Sequence, residues 1–389
     1  MTAPSSVAPA RPRRGWTVLT GALVALTVAL GVVAVPWFLM QERAVPLAPA
    51  GARWFGSYVD VTQGQAASAL AGGSPSDAVV LAFVGAPSAN ACSASWGGAY
   101  SLADAARALD LDHRIARVQQ SGRMVAVSFG GTGIELAGAC ASVGDLASAY
   151  ASVLDRYAVT TMDLDLGARS LDDPAAGDRR AQAVAQLQAN HRARGAQLAV
   201  WLTLPAGRSG LSTGGLRSIR QLQQAGVRLS GINAMTGRDE APQDGQSRGA
   251  AAIAALTAVH DQLGRLYDEL NVDLPVGGVW AIMGATPTIG RVEGEDGVFA
   301  LDDAAALSTF AQKQRLARLS MWSTNRDLSC TPATDPGAGG CTGALPQDDA
   351  FAAVLRRGLG ATTDSPVSAP PATTAPAPPA STPAPSPDP

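Results

Sequence analysis

Two aspartates, Asp163 and Asp165, stand at alternate positions of an otherwise apolar stretch, residues 160–167. In an extended chain every second side chain shares a face, so both carboxylates point to one side and the apolar side chains to the other. Buried carboxylates are costly unless they are paired or hydrogen-bonded, and acid–base chemistry concentrates where such groups occur. The stretch therefore predicts a polar cavity lined by the inner face of one strand, with Gly167 as the next position on that face.

The rest of the chain supplies elements that can hold such a strand. Short apolar segments alternate with amphipathic helical segments, which is typical of βαβ units and a parallel sheet. Eight such units predict an α/β fold, the (β/α)8 TIM barrel, in which chemistry lies at the C-terminal ends of the strands. No glycine-rich phosphate motif follows the first strand, which argues against a dinucleotide-binding fold. The predicted strands are 54–61, 79–85, 124–130, 159–166, 197–204, 231–235, 276–283 and 318–323, and the predicted helices are 102–120, 143–157, 178–194, 216–225, 250–270, 302–314 and 348–359.

The N-terminal segment predicts a membrane anchor. Residues 1–15 are polar and carry three arginines, whereas residues 16–40, from Trp16 to Met40, form an apolar run without a charge. A run of about 20 apolar residues spans a bilayer, and the arginines before it keep the N-terminus in the cytoplasm. Everything after the run is then extracellular. The alternative is secretion after signal-peptide cleavage near residues 48–50, which the length of the apolar run disfavours.

The segments on either side of the predicted barrel differ from it in composition. Residues 41–52 form a linker, and the barrel domain is expected over residues 53–360. Residues 361–389 consist almost wholly of Pro, Ala, Thr and Ser. Such a composition cannot bury a core, so we expect a disordered tail or a spacer that crosses a cell wall.

The four cysteines form two local pairs, Cys92 with Cys140 and Cys330 with Cys341. An even number of cysteines on an exported chain predicts disulfides, because thiols oxidise outside the cytoplasm. The other side chains give no sign of a metal or cofactor, since the three histidines, His113, His191 and His260, have no metal-ligand spacing. A net charge of -3 and a pI near 5.7 give no reason to expect nucleic acid as a partner.

Six short motifs occur in chain order at the expected strands. They are Tyr-Val-Asp-Val-Thr at 58–62, Ser-Phe-Gly-Gly at 128–131, Asp-Leu-Asp at 163–165, Thr-Leu-Pro at 203–205, Thr-Pro-Thr-Ile-Gly at 286–290 and Ser-Met-Trp-Ser at 320–323. Together they make residues 54–359 resemble the family 18 glycoside hydrolases, specifically the compact bacterial chitinase-like barrels. The resemblance implies a TIM barrel and the same two cysteine pairings.

The resemblance also shows where the family's catalytic pattern is broken. In this family the substrate's own acetamido group is the nucleophile, and a glutamate that ends the Asp-x-Asp-x-Glu motif protonates the departing oxygen. The resemblance places Asp163 and Asp165 on the two aspartates and Gly167 on the glutamate. The Met-x-Tyr motif of the sixth strand falls at 237–239, where Asp239 stands and no tyrosine is present. Because glycine cannot donate a proton, ordinary chitinase chemistry is not expected.

The groove implied by the resemblance has alternative interpretations. Its predicted carbohydrate-binding residues are Tyr58, Ser128, Asp163, Asp165 and Trp322, with the Trp322 ring as the floor of the central sugar subsite. An aromatic face supplies apolar contact to a sugar, and polar neighbours set its orientation. Alternatively, the two aspartates stabilise the barrel through retained hydrogen bonds, Trp322 fills the core, and Ser128 with its following glycines is structural.

Three functions of different classes follow. The first is a membrane-anchored, inactive chitinase-like barrel that binds chitooligosaccharide or a peptidoglycan-type glycan containing N-acetylglucosamine. The second is an active hydrolase with a relocated acid, for which the candidates are the loop residues Asp239, Glu240, Glu293 and Glu295. The third is a scaffold whose barrel contacts other proteins.

Overall fold

The computed structural model describes residues 52–64, 66–71, 76–237, 245–291, 297–330, 341–342 and 348–359. The predicted membrane span, residues 16–40, and the predicted tail, residues 361–389, lie outside these ranges. So do the four loop acids, Asp239, Glu240, Glu293 and Glu295. Within the described ranges, no helix combines the length and the apolar character needed to cross a membrane.

Eight parallel strands close into a barrel in the described part of the chain. Each strand pairs with the strands before and after it, and the first strand pairs with both the second and the eighth, which closes the sheet. Their cores are nearly continuous runs of buried residues, as expected for parallel strands that are covered on both faces. The strands are β1 Trp54–Asp60, β2 Ala78–Gly85, β3 Met124–Gly131, β4 Thr161–Leu166, β5 Ala199–Gly207, β6 Gly231–Thr236, β7 Met283–Pro287 and β8 Arg318–Met321.

Helices follow the strands and cover the outside of the barrel. Several begin where a side chain accepts a hydrogen bond from a backbone N–H of the first turn, as Ser142, Asp173 and Ser212 do. The helices are α1 Ala66–Ala71, α2 Leu102–Ala108, α3 Leu111–Gln120, α4 Leu136–Ala139, α5 Val143–Arg156, α6 Ala168–Leu171, α7 Pro174–Ala193, α8 Thr213–Gln224, α9 Arg248–Glu269, α10 Leu301–Gln314 and α11 Ala350–Arg356, with 3-10 turns at Val279–Ile282 and Arg357–Leu359. This architecture is that of a TIM barrel, in agreement with the fold predicted from the sequence.

The apolar core lies mainly between the strands and the helices. Inside the barrel, Tyr58, Val80, Ala82 and Ala126 form a small cluster against which Trp54, Phe83 and Trp322 pack. Most of the remaining interior is polar, which is unusual for a barrel centre, since branched apolar side chains commonly fill it. The polar interior is what positions the candidate site.

Two predicted elements differ from the structure. The helix predicted at 102–120 is two helices, because Asp110 between them adopts a left-handed conformation with φ of 51°. The seventh strand was predicted at 276–283, which is wrong. Val276 is fully exposed and precedes a turn, so the strand begins only at Met283.

Both predicted disulfides are present, Cys92–Cys140 and Cys330–Cys341. The first joins the segment after β2 to the segment after β3, and the second lies in the segment after β8. All of these segments follow strands, so both bonds lie at the C-terminal end of the barrel.

Candidate functional site

A cavity of about 720 Å³ opens at the C-terminal ends of the strands. The residues that line it come from the ends of strands β1 to β7 and from the segments that follow β3, β4, β5 and β8. Ligand sites in TIM barrels lie at this end, and cavities of about 300–1,000 Å³ hold small organic ligands. The cavity therefore lies at the end of the barrel where the alternation of Asp163 and Asp165 predicted one.

One side of the cavity is aromatic. Trp322 stacks on Phe83 with ring centroids 5.0 Å apart and an interplanar angle of 19°. Tyr58 contacts the same indole with centroids 6.0 Å apart. All three residues line the cavity, so an apolar platform meets polar groups in one space. Apolar surface with a few polar groups is the usual lining of a small-molecule site.

Below the cavity, Asp163 is the centre of a buried hydrogen-bond network. Its Oδ1 accepts bonds from Thr203 Oγ1 at 2.6 Å and Arg318 Nη1 at 2.7 Å. Its Oδ2 accepts bonds from Tyr58 Oη and Ser128 Oγ, each at 2.8 Å. Four donors satisfy both oxygens, which is what a carboxylate with no solvent contact requires. The donors come from β1, β3, β5 and β8, so the network ties four strands to β4.

Arg318 provides the positive charge of this network, and the sequence analysis did not identify it. Its Nη2 donates to Tyr58 Oη at 2.8 Å and its Nε donates to Ser320 Oγ at 2.8 Å. The guanidinium carbon lies 4.7 Å from the ring centroid of Trp54 and 5.4 Å from that of Trp201. Hydrogen bonds and aromatic faces thus surround a cation that has no access to water. The period-two spacing of Arg318, Ser320 and Trp322 is the sequence signal that places all three on the inner face.

Burial and charge set the protonation states in the network. Burial raises the pKa of Tyr58 well above its ordinary value of 10.0; Arg318 lowers it, and Asp163 and Asp165 raise it again. For Arg318, burial lowers the pKa, but the interactions with Tyr58 and with the Asp163 carboxylate outweigh this effect, so the pKa of Arg318 is raised. Tyr58 therefore remains a neutral hydroxyl that donates to Asp163, and Arg318 remains a cation.

Asp165 occupies a different position from Asp163 even though both lie on β4. Its side chain is also buried, but it lines the cavity. The neighbouring position on β3 is Gly130, where an added Cβ would stand 2.1 Å from the Asp165 carbonyl oxygen. Gly130 is therefore needed for the close approach of the two strands where Asp165 faces the cavity.

Gly167 lies at the end of β4, on the cavity wall, and is the residue before α6. Its backbone is extended, with φ of -75° and ψ of 174°, a conformation that any residue adopts. A Cβ at this position would have as its nearest neighbour the Gly131 carbonyl oxygen at 3.7 Å, an ordinary contact. Neither backbone strain nor lack of space therefore demands glycine here.

The structure separates the predicted carbohydrate-binding residues into two groups. Tyr58, Asp165 and Trp322 line the cavity. Ser128 and Asp163 were expected in the groove but lie fully buried beneath it, because Asp163 is held by the network and Ser128 donates to it. Across the described residues, no group of three or more His, Cys, Asp or Glu side chains is arranged to hold a metal.

Comparisons with known proteins agree with this geometry. The chain is 32% identical over 259 residues to the probable bifunctional chitinase/lysozyme of Escherichia coli (strain K12), which covers 64% of this chain and 28% of that protein. It is 31% identical over 259 residues to endochitinase 11 of Metarhizium anisopliae, covering 64% of this chain and 47% of that protein. The chain spans less than half the length of these two curated relatives. No family model matches the chain.

The comparison with solved structures shows the same fold. The structure aligns with active domain 2 of the thermostable chitinase from Pyrococcus furiosus, a catalytic-site mutant complexed with chito-oligosaccharides, with a TM-score of 0.66 and 24% identity. The alignment covers 83% of this chain and 98% of that one. The chain is therefore similar in sequence to two chitinases, and its fold matches that of a solved chitinase domain. On this barrel, β4 carries Asp163 beneath the cavity and Asp165 on the cavity wall, and Gly167 follows β4 on the same wall.

Proposed function

We propose that this protein is a membrane-anchored, extracellular chitinase-like barrel that binds glycans containing N-acetylglucosamine and does not hydrolyse them. The glycan is a chitooligosaccharide or a fragment of the peptidoglycan type. Residues 16–40 form the anchor, and the barrel lies outside the cell.

The observation that carries the proposal is Gly167 on the wall of a well-formed cavity. Hydrolysis of a glycoside needs an acid that protonates the departing oxygen, and the proposed motif alignment puts that acid at Gly167. The acids that line the described cavity are Asp60 and Asp165. The Asp60 carboxylate already accepts bonds from Thr62 N, Thr62 Oγ1 and Gln63 Nε2, so it is engaged with its own loop.

The features that favour sugar binding are kept although the acid is absent. The Trp322 ring is supported from behind by Phe83, so a sugar ring can be placed on the exposed part of a rigid aromatic surface. Asp165 and the Tyr58 ring line the same space. Because Asp163 and Arg318 hold Tyr58 in place from below, this wall is fixed before a ligand arrives.

Calorimetric titration of chitotetraose and of a peptidoglycan disaccharide into the protein tests binding. Trp322→Ala is expected to weaken the affinity at least about tenfold, the loss of roughly 1.4 kcal/mol that an aromatic platform supplies. Trp280→Ala is the matched control, because Trp280 stacks on His260 away from the cavity lining. The absence of binding heat at millimolar glycan would refute the proposal.

The competing function is an active hydrolase whose acid comes from a loop after β6 or β7. Met235 and Thr286 at the ends of these strands line the cavity, so the loops that follow begin beside it. This alternative predicts turnover of a chromogenic chitobioside that disappears in Asp239→Asn or Glu293→Gln. Turnover equal to that of buffer rules it out and leaves the binding proposal intact.

A scaffold role is distinguished by crosslinking in intact cells. Recovery of glycan supports the binding proposal, whereas recovery of a defined protein partner that depends on the barrel supports the scaffold.

A further inference from the structure

The end of the barrel opposite the cavity is rich in arginine. Each parallel strand is entered from this end, and the segments that precede the strands carry Arg53, Arg123, Arg194, Arg228 and Arg315. Two aspartates, Asp77 and Asp273, occur in the same segments, and Arg356 pairs with Asp77 at 2.5 Å. Arg357 adds a further cation where the described chain ends, close to Arg53, whose Nη2 donates to the Leu359 carbonyl. We call these six arginines the arginine face.

Most of these cations lack a carboxylate partner among the described residues, although Arg123 Nε donates to Ser121 Oγ and Arg194 Nε donates to the Asn190 carbonyl. Within the described chain, Arg123, Arg194, Arg228, Arg315 and Arg357 have no carboxylate within 4.0 Å. Two of them, Arg123 and Arg228, each keep a buried nitrogen without a hydrogen-bond partner, Nη1 and Nε respectively. Arginines without a carboxylate within 4.0 Å also occur elsewhere in the described chain, as Arg169 does at the cavity, but the segments at this end combine five of them, which suits an anionic partner.

An apolar tip lies on the same end. Val276 is fully exposed in the segment between α9 and β7, and Gly277 and Gly278 complete the turn after it. An exposed valine at the same end as several arginines suits a surface that meets lipid headgroups, where the apolar side chain enters the interface and the cations stay at the phosphates.

The chain also enters the barrel at this end. Arg53 immediately precedes β1, and residues 41–52 separate it from the apolar run that ends at Met40. Twelve residues reach at most about 40 Å when fully extended, so the barrel cannot move far from the bilayer that the run is proposed to span. The cavity, with Asp60 and Asp165, is at the opposite end.

We propose that the arginine face, together with Val276, docks on anionic phospholipid headgroups of the membrane that anchors the chain. Docking directs the cavity away from the bilayer, toward the glycan of the cell wall. The inference rests on the proposed anchoring by residues 16–40 and is independent of the proposed glycan binding.

The test uses the full chain in nanodiscs of phosphatidylcholine, with or without about one third phosphatidylglycerol, and a trace of lipid with a spin-labelled headgroup. A fluorophore is attached at Val276→Cys and, as the control, at Ser209→Cys, an exposed residue of the cavity wall. The four native cysteines are all in disulfides, so the label reacts at the introduced residue. We expect quenching at position 276 to exceed quenching at position 209 about threefold or more in the anionic discs, and to fall at high salt.

The variant Arg194→Gln/Arg315→Gln/Arg357→Gln changes exposed side chains and is expected to reduce quenching at 276 to its value in phosphatidylcholine. The docking proposal is wrong if quenching is equal at positions 276 and 209, or if it is the same with and without phosphatidylglycerol. Neither result contradicts the proposed anchoring. A chain that fails to enter the discs overturns both. The protein could also bind soluble polyphosphate through the arginine face, with binding lost in the triple variant, and not bind anionic discs. That result overturns the choice of lipid as the partner.

Discussion

Arg318 Nη1 lies 2.7 Å from Asp163 Oδ1 in the centre of the barrel, and both side chains are completely inaccessible to water. The pair joins β8 to β4, two strands on opposite sides of the closed sheet. Asp163, which first suggests catalysis in the sequence, is thus held by an ion pair. Its role in the described structure is to support the barrel.

Arg318→Met is expected to lower the free energy of unfolding by about 3–5 kcal/mol, because it leaves the Asp163 carboxylate buried without a counterion. Urea denaturation measures the loss. Arg220→Met is the matched control: Arg220 makes an ion pair with Glu269 of the same length, 2.7 Å, but on the surface. There we expect a loss of about 0–1 kcal/mol. Equal losses in the two variants would contradict the role assigned to Arg318.

The two aspartates of β4 are expected to respond differently to the same substitution. Asp163→Asn removes a charge that balances Arg318 and mismatches at least one of four donors, so it should cost about 3 kcal/mol or more in stability. Asp165→Asn should leave stability within about 1 kcal/mol and weaken glycan affinity about tenfold, since Asp165 lines the cavity. Denaturation and calorimetry on both variants test the division. It fails if Asp163→Asn is as stable as the parent protein.

Gly167→Glu tests whether the cavity still presents substrate in a productive position. The added Cβ has only an ordinary contact at 3.7 Å, so we expect the variant to fold with unchanged stability. Combined with Asp239→Tyr, it is expected to raise chitobioside hydrolysis about 10² to 10⁴-fold above the parent protein, the usual contribution of a positioned general acid. Gly167→Gln with Asp239→Tyr is the control, since glutamine has the same shape and no proton to give. Equal rates for the two would show that the new carboxyl does not act as the acid.

Asp327 makes stability depend on pH at the junction of β8 and α11. Burial raises its pKa from 3.8 to about 6, the N–H groups of Ala352 and Phe351 oppose the shift, and Asp349 and Asp348 add to it. The folded state therefore holds this proton more tightly than the unfolded state. The contribution of this proton to the free energy of unfolding is complete below about pH 4. It is lost as the pH rises through about 6, a decline of about 3 kcal/mol.

Urea midpoints between pH 4 and 7 measure this decline. In Asp327→Asn the decline should be smaller by about the same amount, whereas Asp348→Asn, which removes a more exposed neighbour, should retain most of it. A carboxyl titration of Asp327 with a midpoint near 4 would contradict the argument.

Sequence periodicity was sufficient to predict the barrel, because each strand can be recognised from its own side-chain pattern. It was insufficient at β7, where Val279, Trp280 and Ile282 look like a strand but form a 3-10 turn. It also failed at Asp110, where a single left-handed residue divides an amphipathic pattern that is continuous in the sequence. In both places a backbone conformation decides the structure, and the side-chain pattern does not report it.

The candidate site was predictable to a similar extent. The motifs located Asp163, Asp165 and Trp322, but the depth of Asp163 depends on Arg318, which is 155 positions away in the chain. An arginine at the start of a strand is ordinarily an edge residue exposed to water. Only closure of the barrel brings it against Trp54 and Trp201.

The distance along the chain between Asp163 and its counterion also orders the assembly of the protein. A chain that has completed β1 to β4 already contains the Asp163 carboxylate, whereas the Arg318 cation arrives only with the last strand. A barrel truncated before Arg318 would have to bury the uncompensated charge of Asp163. Closure of the truncated barrel is therefore energetically unfavourable. The last strand therefore controls closure, and the barrel closes only in a chain that extends through Arg318.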